Sequence, residues 1–165
     1  MHVFQKSMIV AGVGMLLAAG TVGVFAQEDK SAALKQRQDF MDAQQKAVGA
    51  VNAFAKGTGD RQAAIDGANK LVAMSDELAA KFDTFFPAGT SNAEFPGKTR
   101  AKPELWANLT QVKKDLPKLH DADVKLVDVA KTADAATVGK AMADSYRDTC
   151  NALCHNSYRA PEEKK

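Results

Sequence analysis

Cys150 and Cys154 are the only cysteines in the 165-residue chain, and His155 follows the second at once. Thiols this close to an imidazole can do three kinds of chemistry. They can add to the vinyl groups of a haem while the histidine binds iron from one face, as in a c-type attachment site. They can close a local disulfide, or join the histidine in a zinc site. Residues four apart on a helix hold their Cβ atoms about 5–6 Å apart, against about 3.8 Å in a disulfide, so that bridge requires the helix end to open. Zinc asks for a fourth ligand that this short stretch does not supply. The spacing reads C-x-x-x-C-H, one residue longer than the usual haem motif. On a regular helix the extra residue turns Cys150 by about 100° and shifts it about 1.5 Å along the axis, so its sulfur misses the vinyl group. A distorted helix between Cys150 and Cys154 is therefore expected; the first thioether depends on that distortion, and the second does not.

Elsewhere the chain carries little reactive chemistry. No paired carboxylates, serine–histidine arrangement or glycine-rich phosphate loop stands out, so nothing points to an enzyme. Its 22 Lys+Arg against 20 Asp+Glu leave a net charge of +2, too balanced for a protein that grips nucleic acid phosphates.

The elements that must position the motif are helical. Lys6 precedes an uncharged run from Met8 to Phe25, and small residues lead to Ala26, the layout of a cleaved signal peptide over residues 1–26. The alternative is a retained membrane anchor. Cleavage leaves residues 27–165 as one domain, with no membrane attachment and a charge of +1 once Lys6 is gone. Ala, Lys, Gln, Asp and Leu dominate this part, and strand-like alternation is absent. Segment one runs from about Ser31 to Ala55 and stops before Gly57 and Gly59. Segment two starts at Asp60, a good N-cap, and ends before Pro87. A long punctuated loop covers Phe86 to Lys102. Segment three opens at Pro103, with a kink or break expected near Lys113 to Leu116 because of Pro117. Segment four starts near Thr132 to Asp134 and runs to about Arg159. These lengths and links predict an all-α, antiparallel four-helix bundle. Aromatic residues make up only 7% of the chain, so a bundle core this lean has room for a large cofactor.

Several blocks together resemble the cytochrome c′ family, including its cytochrome c-556 branch. They are the tail Cys150 to Arg159, the loop Phe86-Pro87-Ala88-Gly89-Thr90, the stretch Thr99 to Trp106, and Arg37-Gln38-Asp39-Phe40-Met41 in the first helix. They occur in the family's order across the whole chain after the leader. The resemblance implies a periplasmic bundle with one covalently attached haem c and its iron, often a homodimer through the first two helices. It implies that Cys150 and Cys154 hold the haem, that His155 is the proximal ligand, and that Arg159 lies beside that imidazole. Arg37 corresponds to a residue that reaches a haem propionate, a carboxylate that a guanidinium matches well. Tyr158 reads as core packing.

The sixth iron position separates two functions. Met142 lies thirteen residues before His155 on one helix, about 20 Å away along its axis, and cannot reach the other haem face. His120, among Lys118, Asp121 and Asp123, reads as a solvated surface residue, and Met74 as core. Met41 stands four residues after Arg37, at the position that faces the distal side in the family. A coordinating methionine there gives six-coordinate iron suited to one-electron carriage with a redox partner not named by the sequence. A methionine that only lines the pocket leaves a five-coordinate site for small gases such as NO and CO. A haem-free helical protein with a local disulfide is the third reading.

Overall fold

In the computed structural model, residues 21–162 are described, with side chains from residue 29 onward. The expected leader, residues 1–26, lies outside this description as far as residue 20, as do the side chains of residues 21–26. Helix α1 spans Thr21–Ala55, α2 spans Arg61–Ala80, and the one-turn α3 spans Phe82–Phe85. After the long loop come α4 (Glu104–Ala107), α5 (Leu109–Thr132) and α6 (Ala135–Tyr146). The chain then widens into a π-helical segment, Arg147–His155, and ends its helical course in α7, Asn156–Tyr158. The four expected segments are all present, and the fold is the all-α four-helix bundle: α2 packs on α1 and α5, and α6 closes the other side against the same two helices. Among the described residues no helix is long and apolar enough to cross a membrane.

Local chemistry explains where these helices begin and end. Asp60 caps α2 by accepting a hydrogen bond from the Ala63 N–H at 2.8 Å, and Asp134 caps α6 through the Thr137 N–H at 2.7 Å. Segment two breaks once, at Lys81, before α3. In segment three the structure differs from expectation. Its interruption falls at Asn108, between α4 and α5, while α5 runs unbroken through Pro117. Pro117 and Lys113 are both exposed, so water can satisfy the carbonyl that proline leaves without a donor. Helices α1 and α2 approach closely because their shared face is built from small residues. A Cβ added to Gly67 would lie 2.8 Å from the Ala47 carbonyl oxygen.

The bundle core divides into two apolar clusters. One joins Phe40, Met74, Leu78, Phe82, Phe85, Leu105, Val112, Leu116 and Leu119. The other joins Ala47, Val51, Ala68, Leu71, Leu126, Val127, Val138 and Met142. Between them along α2, α5 and the last helix come buried polar residues: Ser75, Asp123, Ser145 and Thr149. Met74 is core as expected, and Met142 sits in the cluster away from the cysteines.

Candidate haem-binding site

The cysteines lie where the last helix changes its winding. In a π-helix each hydrogen bond spans i to i+5 instead of i to i+4, so every turn takes in more residues. A pair four apart in the wider winding then takes the place that a pair three apart holds in an α-helix. The extra residue of the C-x-x-x-C-H motif is absorbed this way, and the distortion expected between Cys150 and Cys154 is present. Both cysteines are free thiols, half-buried, and packed against the first apolar cluster. Burial pushes the Cys154 thiol up to about 11, with the neighbouring Cys150 adding to the effect. Burial raises Cys150 as well, and the negative charge of Asp123 adds to it.

His155 ends the wide segment half-buried. Desolvation first, and the Arg100 guanidinium second, hold its imidazole below the usual histidine range. The Tyr146 hydroxyl lies 3.5 Å from Nδ1, and the two rings meet edge to face. A regular α-helix would place residues nine apart on opposite faces, about two and a half turns on. Neither Arg100 nor Tyr146 was singled out from the sequence as a neighbour of the histidine. Arg100 lay inside the Thr99 to Trp106 block, and only the wide winding would have revealed Tyr146. Arg159 is exposed; its backbone N–H donates to the His155 carbonyl at 3.1 Å.

Around the site the long loop is tied down at both ends. Arg37 is buried in α1, and its guanidinium donates to the end of α3 and to this loop. Nη1 donates to the Phe85 carbonyl and Thr90 Oγ1, each at 3.3 Å. Nη2 donates to the Thr90 carbonyl and Thr99 Oγ1, each at 3.0 Å, and the guanidinium lies 4.9 Å over the Phe86 ring. Burial brings its pKa down to about 10, so the charge is kept at neutral pH. The indole of Trp106 donates to the Phe86 and Pro87 carbonyls at 3.1 Å. At its far end the loop pairs with the tail just after the histidine: Lys102 N–H donates to Tyr158 at 2.8 Å, and Ala160 N–H to Arg100 at 2.7 Å.

Met41 is half-buried on α1 and packs against the same cluster as Cys150, Cys154, Trp106 and Tyr158. The structure thus brings Met41 and the two cysteines to one apolar neighbourhood. His120 differs from expectation. Its ring is partly exposed, but Nδ1 is buried, with Asp76 Oδ1 2.9 Å away and off the line of a hydrogen bond. Among the described residues no group of three or more His, Cys, Asp or Glu is placed to hold a metal ion by itself.

Two reduced thiols on one wide helical turn, an imidazole next to the second, and an apolar cluster behind them fit a flat apolar cofactor joined through thioethers. A helical bundle with this site has the features of a c-type haem protein. The family model described as Cytochrome C′ matches residues 32–159. A cytochrome c′ of Pararhodospirillum photometricum is 34% identical over 92 residues, which is 56% of this chain and 66%, just under two thirds, of that protein. The crystal structure of cytochrome c′ from Thermochromatium tepidum superposes with a TM-score of 0.66 at 30% identity, covering 80% of this chain and 97% of that one. A cytochrome c′ described for its ligand-controlled dimer dissociation superposes with a TM-score of 0.67 at 26% identity, covering 80% and 97%. The chain belongs to the cytochrome c′ family, whose cofactor is covalently attached haem c.

Proposed function

We propose that this chain is a periplasmic one-electron carrier with one haem c, exported by the leader at residues 1–26 and free of the membrane once that leader is cut. Haem, when bound, supplies an iron that cycles between two oxidation states. In this reading Cys150 and Cys154 would hold the haem, and His155 and Met41 would be the ligands to its iron. Arg37 and Arg159 serve a propionate and the proximal imidazole, with Arg100 as a second cation beside His155. The partners are a redox protein and a second copy of the chain, docked through α1 and α2. The observation that carries the reading is the position of Met41, half-buried on the cluster that also takes in both cysteines. An imidazole from His155 and a thioether from Met41 as the two ligands would leave little to rearrange when an electron arrives.

The absorption spectrum of the reduced, haem-loaded protein tests it. A sharp low-spin α band with no response to CO is expected. A broad high-spin spectrum that shifts under CO would overturn carriage and make Met41 the wall of a five-coordinate gas-binding pocket.

A further inference from the structure

Asp123 has no part in the site as described, yet it is the most unusual group near it. Its side chain is only 3% exposed, in the polar layer between the two apolar clusters. Among the described residues, two buried side-chain polar atoms lack a hydrogen-bond partner, Asp123 Oδ2 and His120 Nδ1. They belong to residues three apart on α5, hence neighbours on one face. Unpartnered buried polar atoms are rare enough in folded proteins to require a reason.

The surroundings suit a group that gains and loses a proton. From α2, the Ser75 hydroxyl faces the carboxyl. That hydroxyl donates to the Val72 carbonyl at 2.8 Å, and its single proton cannot serve both acceptors. A protonated Asp123 can donate to Ser75 Oγ in this arrangement, whereas an ionised one would draw the hydroxyl proton to itself. From the π-helical segment, the Cys150 thiol is close enough to feel the Asp123 charge. Thr149 Oγ1 donates to the Ser145 carbonyl at 2.6 Å, so that hydroxyl is already committed. His120, three residues before Asp123 on α5, is itself partly exposed and has the largely exposed Asp76 2.9 Å from its Nδ1. Burial raises the carboxyl to about 6, and Ser75 and then His120 act in the opposite sense more weakly.

We propose that Asp123 takes up a proton when the haem held at Cys150 and Cys154 is reduced, with His120 as its path to solvent. The proposal rests on the redox reading of the same site. One electron from a one-electron donor lowers the charge at the haem by one; a proton from solvent forms the Asp123 O–H bond, and no other bond is made or broken. In a buried setting the added electron is disfavoured by a nearby carboxylate charge, and protonating that carboxylate removes the repulsion.

A potentiometric titration of the haem-loaded protein from pH 4.5 to 8 tests the coupling, with Asp123→Asn and Ser75→Ala beside the parent. The parent's reduction equilibrium should weaken with rising pH by up to tenfold per unit, about 59 mV for one electron, over a window that starts near pH 6. Asp123→Asn should remove that window. Ser75→Ala, which takes away a hydrogen bond to the ionised form, should move it to higher pH. A carboxylic acid C=O band should appear on reduction in the infrared difference spectrum and be missing in Asp123→Asn. The same pH dependence and the same band in parent and Asp123→Asn would overturn the proposal, and an unmoved window in Ser75→Ala would count against it even if Asp123→Asn did not fold. CO binding by the reduced protein would overturn carriage alone, because the titration reads the proton whether or not the sixth position is open.

Discussion

At the scale of single residues, burial decides more than charge type. Asp123 carries a carboxyl whose pKa rises from 3.8 to about 6 because it is desolvated. Below 3.8 both the folded and unfolded chains hold the proton, and this group's contribution to stability is complete. As pH climbs, the unfolded chain releases its proton first, and the contribution is gone once pH has passed about 6. A rise of that size corresponds to about 3 kcal/mol. Urea unfolding of the oxidised protein should therefore show stability falling between pH 4 and 6, and Asp123→Asn should lack that fall. Parallel pH curves would show that the carboxyl is not buried in solution. The sequence reads Asp123 only as one of several charges around His120, because nothing in a list of neighbours reveals that α2 covers one side of that turn. The cysteines and His155 were legible for the opposite reason: their chemistry depends on spacing along the chain, which the sequence shows directly.

Among elements, the last helix carries the most specific device. A turn spread over five residues rather than four is costly on its own and rare, so it persists where something depends on it. Here it brings the sulfurs of a lengthened motif back toward one face. If that is its use, both thiols attach to haem, but the one beside His155 dominates. Cys150→Ala should leave haem partly retained after denaturation in acidified solvent, while Cys154→Ala should lose most of it. Mass spectrometry of the extracted chain gives the count, and equal, negligible losses in both variants would reject the assignment. Helix periodicity revealed four segments, and residue type marked Asp60 as an N-cap; the same role of Asp134 emerged only from the structure. It misplaced the interruption in segment three, since a proline facing water costs less than one facing a neighbour. It also left the π-helical winding as a bare expectation of distortion, because hydrophobic spacing over nine residues cannot separate the two kinds of turn.

Over the whole molecule, one arginine links segments far apart in sequence. Arg37 is the meeting point of α1 with Phe85, Thr90 and Thr99, and a buried guanidinium with four such bonds is expensive to lose. Arg37→Met should cost about 3 kcal/mol and expose the stretch between Pro87 and Arg100 to proteolysis, while helical circular dichroism changes little. Unchanged protease resistance would show that the loop is held by its other contacts. Glycine and proline content marked this stretch as a loop, yet its closure by Arg37, Trp106 and the tail is a tertiary fact without a local signature.

The pairing of Lys102 with Tyr158 and of Ala160 with Arg100 also has a bearing on the order of assembly. Helices α1 to α6 and the loop precede the thiols along the chain, and a chain emerges N-terminus first. The pairing behind His155 can close only after this last segment has arrived, so the far end of the long loop is pinned late in assembly.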